Sequence, residues 1–320
     1  MFPEPLSWRA PRPWLAGALW CLLLAMPLLA QWAGSSFWLT LATRIVVFAI
    51  AASGLNLLLG YGGLVSLGHA LYVGIGAYAA GIAAFHGLAD GWAQLAIALA
   101  LAAVVAVPLG LVSLRTRGMG FIMITLAFGQ MFYFLAVSLK AYGGDDGLPL
   151  EQRSQLAPWP ALEGKAALYY LALAVLALVM LAAWRAAHAR FGMVLRGFRA
   201  NERRMLAAGF ARLRYQLAAY VASALACTVA GWLLANLTAF ASPSYLSWQA
   251  SGELILMVVL GGMGTVMGPL VGAAALLLLE EWLSSLTQHW MAILGPAIVL
   301  VALLSRRGLW GAVLRREGKP

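Results

Sequence analysis

Ten apolar segments, most of them about as long as a bilayer is thick, leave this chain few ways to fold. They cover residues 14–31, 37–59, 70–85, 94–114, 121–139, 166–184 and 215–237, then 251 to a break at 261–264, 266–286 and 290–304. A helix needs about 20 apolar residues to cross the hydrocarbon core. Within lipid, only helices and closed barrels satisfy every backbone polar group. The expected fold is all-α and integral to the membrane, a polytopic helical bundle of about ten transmembrane segments in a single transmembrane domain, residues 1–320. The short segments at 70–85, 251–261 and 290–304 predict re-entrant or broken helices.

Composition supports that class. The chain is 63% hydrophobic and 10% charged, where a soluble domain carries about 25% charged residues. Its net charge of +10 does not imply a nucleic-acid partner, because the cations sit in short loops between apolar segments, where membrane orientation explains them. Cys21 and Cys227 both lie inside apolar segments and give neither metal spacing nor a disulfide framework. Arg9 and Arg12 precede the apolar run Trp14–Ala30, in the manner of a signal peptide. That run is long enough to cross, and the charge pattern below closes with it in place, so it reads as an uncleaved first span.

The longest polar interruption is Arg185–Arg214. It holds eight arginines against one acid, Glu202. Clustered positive charge stays on the cytoplasmic side. With both termini also inside, 17 Lys and Arg fall in internal segments, 3 (Lys140, Arg153, Lys165) in external loops, and Arg44 within a span. Within the interruption, Asn201 is a good N-cap, Glu202 a favourable charge at a helix N-terminus and Gly209 a C-terminal stop. Residues 202–208 are therefore predicted to form a helix of about two turns. Met205 and Leu206, with Phe210 just past the end, are apolar, while Arg203, Arg204 and Arg212 are charged. So short a helix needs a partner to pack against. Orientation alone also accounts for the charge bias, and both readings stand at this point.

A weak internal repeat relates Gly62-Gly63-Leu-Val-Ser66 to Gly261-Gly262-Met-Gly-Thr265. Paired glycine-interrupted segments in two halves point to a transport pathway. Glycines 60, 62 and 63 cannot sustain a helix, so the backbone there lines a cavity or is buried in protein. Gly62, Gly63, Ser66, Gly68, His69, Gly261 and Gly262 are the candidate path residues, with Gln130 as a polar group inside a span. An ordinary turn between two spans explains the first cluster equally well. Gly264, Gly268 and Gly272, spaced by four, are expected on one helix face where another helix approaches closely. The other intramembrane polar groups are Arg44, Asn56, Glu253 and Glu280-Glu281. Intramembrane ionisable groups are functional candidates by default, and Arg44, about two turns from the outer end of its helix, is also long enough to snorkel. There is no G-x-x-x-x-G-K-[ST] run, no metal spacing among the four histidines and no H-E-x-x-H or G-x-S-x-G motif. These patterns argue against ATP binding by the chain itself and against a membrane enzyme.

Four stretches, in order, are similar to one family. GLNLLLGYGGLVSLGHALYVGIGAYAAG (54–81), YGGDDGLPL (142–150), ANERRMLAAGFARLRYQLAAYVASALACTVAG (200–231) and SGELILMVVLGGMGTVMGPLVGAAALLLL (251–279) resemble the Liv-family branched-chain amino acid ABC transporter permeases, M-type subunit. The resemblance implies a permease that carries out no covalent chemistry and has no cofactor of its own. ATP would be bound by separate ATPase subunits. A second permease subunit, expected as a heterodimer, and a periplasmic substrate-binding protein complete the implied machine in a bacterial inner membrane. The resemblance also makes Arg199, Asn201, Glu202, Arg203, Met205, Leu206 and Gly209 the ATPase-coupling residues. The family's Glu-Ala-Ala run is replaced here by Met205-Leu206-Ala207-Ala208 before Gly209. Related permeases carry branched-chain or other amino acids, urea or short amides. A secondary transporter or channel is the remaining alternative, weakened by the lack of a buried acid chain for proton relay.

Overall fold

A computed structural model describes residues 11–32, 36–150, 153–155, 164–287, 289, 292–293, 295–296 and 308–314. The described helices are α1 (Pro11–Trp32), α2 (Ser36–Asn56), α3 (Ala70–Phe85), α4 (Gly91–Ser113), α5 (Met119–Ser138), α6 (Lys165–His188), α7 (Arg190–Ala200), α8 (Glu202–Ala207), α9 (Arg212–Thr238), α10 (Trp248–Gly261), α11 (Gly268–Leu286) and α12 (Gly308–Leu314). A π turn at Leu57–Tyr61 prolongs α2.

Nine of the ten expected segments coincide with α1–α6 and α9–α11. The tenth, 290–304, falls almost wholly outside the described residues. The expected count of about ten crossings is not confirmed. Among the described residues six helices are long and apolar enough to cross: α2 with its π turn, α4, α5, α6, α9 and α11. The apolar parts of α1, α3 and α10 are shorter. An apolar run in sequence shows that a segment avoids water. It does not show whether that segment reaches both faces.

Helix α2 is the axis of the bundle. Of its spanning window 89% is buried, against 22% for α5. It is rich in small residues, including Ala49, Ala51, Ala52, Ser53 and Gly54, all buried. Helix α9 lies along both α2 and α3. A methyl group at Gly231 would strike the Val73 carbonyl, and one at Gly76 the Thr228 carbonyl. These two glycines set the α3–α9 separation, the close approach that small residues permit between membrane helices.

The two ends of the bundle differ. One carries α7, α8 and the turn after α4; it is called here the basic end. At the other, a two-stranded antiparallel ribbon pairs Leu148–Pro149 with Phe240–Ala241. Gly147 enters that ribbon at φ 82° with the Phe240 ring where a side chain would stand. Asn236 on α9 accepts from the Ser154 N–H at 2.9 Å, and the Ser154 hydroxyl donates to Gln94 on α4. The loop after α5 is thereby tied to two helices.

Most of Arg185–Arg214 is helical rather than loop. Helix α6 continues to His188, and α7 occupies Arg190–Ala200. The reason lies in the apolar spacing Phe191, Val194, Leu195 and Phe198, one helical face; the last three are buried. Helix α8 follows as expected, one residue shorter at its end.

The expected glycine face on the last full span also changes. Gly268 and Gly272 lie in α11, but Gly264 has φ +76° and sits in the turn before it. The spacing of four is real, but the helix starts only after the first of the three. A side chain at Gly272 would strike the Met257 carbonyl, and one at Gly261 the Gly268 carbonyl. The close contact is thus between α10 and α11 of the same chain.

Candidate functional site

The two glycine motifs meet at the basic end, and Asn56 joins them. Its Oδ1 accepts from the Gly264 N–H at 2.9 Å, and its Nδ2 donates to the Thr265 carbonyl at 2.8 Å. The side chain serves as a backbone strand would, matching one donor and one acceptor of an irregular turn. Gly60 makes room for this. A methyl group there would strike Asn56 Oδ1 and lie 2.5 Å from the Gly264 nitrogen. Within the second motif the Thr265 hydroxyl donates to the Gly262 carbonyl at 2.8 Å and accepts from the Gly268 N–H at 3.1 Å. Gly262 closes α10 at φ 118°.

From Gly62 the chain leaves helical form and turns back into the bundle before α3 begins. Gly63 is exposed, whereas Ser66, Gly68 and His69 are fully enclosed. Gly68 fits against the backbone of Thr125 on α5, about 9 Å along that helix from its start at Met119. Non-helical backbone at such depth must have its polar groups satisfied by protein, and side chains do so. Thr125 Oγ1 accepts from the Leu67 N–H at 3.2 Å, and Ser251 Oγ on α10 accepts from the Ala70 N–H at 3.0 Å. His69 Nδ1 and Ser66 Oγ are hydrogen-bonded at 2.8 Å. The His69 ring stands edge-on to Tyr72 and Tyr220, which share a 3.0 Å hydroxyl hydrogen bond. In this conformation Ser66 and His69 belong to a closed polar core. Gln130 stands apart from it on α5, half-buried, its Nε2 without a partner among the described residues.

Helices α7 and α8 attach directly to the first motif. Arg199, at the end of α7, donates to the Gly60 carbonyl, and its methylenes cover Gly63, where an added Cβ would lie 2.8 Å from Arg199 Cγ. The chain then turns at Asn201, whose Oδ1 accepts from the Arg204 N–H at 3.0 Å and caps α8. Glu202, first in α8, pairs with Arg212 at 2.8 Å and Arg117 at 2.9 Å. Arg212 also donates to the Leu114 carbonyl and, at 2.9 Å, to Gln216. A single carboxylate therefore ties α8 to α9 and to the α4–α5 turn. Met205 packs onto Gly197 of α7. Gly209, at φ +83°, ends the helix; its N–H reaches the Leu206 carbonyl at 3.0 Å, and Phe210 N–H reaches Met205 at 3.2 Å. This is the left-handed C-terminal motif that favours glycine.

Helix α8 is consequently held from one side and free on the other. Arg203, Arg204, Leu206 and Phe210 are exposed, Leu206 to 45%. An apolar residue ringed by arginines on a braced helix is suited to docking on another protein. The sequence had indicated the caps and the apolar residues. It gave no sign that Arg199 would reach Gly60, because that contact spans 139 residues. Asn56 stood out only as a polar group in a span. Among the described residues no three His, Cys, Asp or Glu side chains gather as metal ligands would.

A family model described as the permease component of the branched-chain amino acid transport system matches residues 37–304. The chain is 28% identical over 293 residues to the high-affinity branched-chain amino acid transport system permease protein LivM of Escherichia coli K12, covering 84% of this chain and 69% of that one. It is 27% identical, with the same coverage, to the LivM permease protein of Salmonella typhimurium. No solved structure matches. The match takes in both glycine motifs, their Asn56 clamp and the braced helix α8, and the chain belongs to the family of branched-chain amino acid transport permease components.

Proposed function

We infer that this chain is the transmembrane permease subunit of an ATP-driven importer for branched-chain or related small amino acids. In this reading it lies in a bacterial inner membrane with both termini cytoplasmic. It pairs with a second permease subunit, receives substrate from a periplasmic binding protein, and is moved by separate ATPase subunits that bind the ATP. The chain transports and catalyses no covalent reaction, in keeping with relatives that are transport permeases.

One observation carries the coupling part. The exposed, doubly capped α8 is continuous, through Met205 on Gly197 and Arg199 on the Gly60 carbonyl, with the junction of the two glycine motifs. A protein that grips Leu206 and the arginines around it displaces α7 and α8 as a unit. Arg199 then pulls on the turn that Asn56 fastens to the α10–α11 loop. The last turns of α2, the re-entrant segment before α3, and α10 all respond. Gly62, Gly63, Gly261 and Gly262 give that junction its freedom to change shape. Ser66, Gly68, His69 and Gln130 are path candidates in a second conformation, exposed when the closed core opens.

The test is retention of the ATPase by the tagged permease in detergent. Leu206→Glu places a charge on the exposed face of α8, at a side chain 45% open to solvent. It is expected to reduce ATPase recovery at least tenfold while the permease elutes as wild type does. Equal recovery would remove α8 as the docking element. Wild-type permease that purifies alone and moves solute without ATP would replace the importer with a secondary transporter.

A further inference from the structure

In the half of the bundle away from the basic end, three charged side chains on three helices come together: Arg44 on α2, Glu253 on α10 and Glu280 on α11. Arg44 Nη2 stands 3.9 Å from Glu280 Oε1, with the two side chains 42% and 27% exposed. Glu253 lies within electrostatic reach of both. Arg44 is about 12 Å along α2 from Ser36, Glu280 about 9 Å from the end of α11 and Glu253 about 8 Å into α10, so all three sit at similar depth. Arg44 therefore does not extend alone towards water, as the sequence suggested. It faces two acids from a partly exposed position on α2.

The opening is specific. Between Leu39 and Gly60 every residue of the α2 segment is buried except Thr40, Arg44 and Phe48. Their spacing of four makes one partly exposed stripe along α2. The Arg44 guanidinium stands 5.8 Å from the Phe48 ring centroid. Charged groups at membrane depth do not face lipid. They mark pathways for ions and polar solutes.

The cluster is also poorly built as a strut. At 3.9 Å the pair is too long for a hydrogen bond, and none of the three side chains makes one among the described residues. A structural ion pair at depth needs close geometry and its remaining donors and acceptors satisfied. Two acids against one base leave a carboxylate in excess. An amino acid zwitterion leaves that net charge unchanged but offers each kind of group a close partner. Its carboxylate fits the forked guanidinium, and its ammonium fits between two carboxylates.

We propose that Arg44, Glu253 and Glu280 bind the zwitterionic head of an amino acid in passage, Arg44 holding the α-carboxylate and the two glutamates the α-ammonium. This rests on the importer reading and narrows it, since urea and simple amides have neither charge. Phe48, one turn further along the stripe, offers an apolar contact for the substrate's side chain.

The test uses the assembled transporter, with its partner permease, ATPase and binding protein, in proteoliposomes. Labelled leucine is the probe, and ATP hydrolysis is the second readout. Arg44→Gln is expected to lower the initial uptake rate at least tenfold in a complex that assembles and hydrolyses ATP. Arg44→Lys retains part of the rate. The neutral pair Arg44→Gln with Glu280→Gln stays as slow as Arg44→Gln. Recovery of wild-type uptake in that pair would make the contact a structural ion pair and overturn the proposal. So would normal uptake by Arg44→Gln, or a wild type that imports an uncharged amide and ignores leucine. A wild-type complex with no ATP-dependent import of either solute would instead overturn the importer reading, and this proposal with it.

Discussion

Replacing Asn56 with alanine leaves the Gly264 N–H and the Thr265 carbonyl without the partners they have at 2.9 and 2.8 Å. Each unsatisfied buried group costs about 1–3 kcal/mol. Asn56→Ala is therefore expected to lower the thermal midpoint of the detergent-solubilised chain well below that of Ser138→Ala, whose lost hydroxyl bonds only to a carbonyl three residues back on an exposed face. Equal midpoints would mean that the two glycine motifs hold together without the clamp. The sequence located Asn56 as a polar residue in an apolar run and stopped there. Its partners lie more than 200 residues away, and a polar residue in a span carries no address. Gly60 is similar. It reads as one more helix breaker, while its actual constraint is the lack of space beside Asn56 and Gly264.

Local chemistry made α8 legible, whereas the arginines of α7 masked its apolar period. A cap, a helix dipole charge and a terminal glycine act within a few residues, so Asn201, Glu202 and Gly209 could be assigned before any tertiary contact was known. The apolar residues of α7 were equally readable at positions 191, 194, 195 and 198, but the density of arginine drew the segment towards a loop. Gly264 shows the converse error, since regular spacing was extended into a helix that begins only at Gly268. The cap itself is testable. Asn201→Ala removes the acceptor for the Arg204 N–H, at about 1 kcal/mol, or roughly fivefold in an equilibrium. Hydrogen exchange over residues 202–210 is expected to speed up by about that factor in Asn201→Ala and to stay near wild type in Asn201→Asp. No change in exchange would mean that the ion pairs of Glu202 hold α8 without its cap.

For the whole molecule, the apolar pattern and the charge asymmetry constrain different things. The pattern located nine helices among the described residues, because each must keep its own backbone satisfied in lipid. It could not place α2 at the centre, which follows from the small residues of α2, with Gly54 seated against Ser223 and Ala226 of α9, and not from hydropathy. It also could not show that α3 starts inside the bundle, since that depends on Thr125 and Ser251 accepting from backbone far away in sequence. The charge asymmetry bears on direction. If the basic end is cytoplasmic, as proposed, α8 faces the side of the proposed ATPase and the Arg44 cluster lies in the outer half, the side of the proposed binding protein. Exposed Leu206 and Leu88 stand at opposite ends of the chain's fold. Single cysteines there, in a background with Cys21 replaced by serine and buried Cys227 kept, report the direction with a membrane-impermeant maleimide. Leu88→Cys is expected to label in cells with a permeable outer membrane, and Leu206→Cys only after the inner membrane is opened. The reverse pattern would put α8 outside, away from any ATP, and the coupling reading would fail at its first physical requirement.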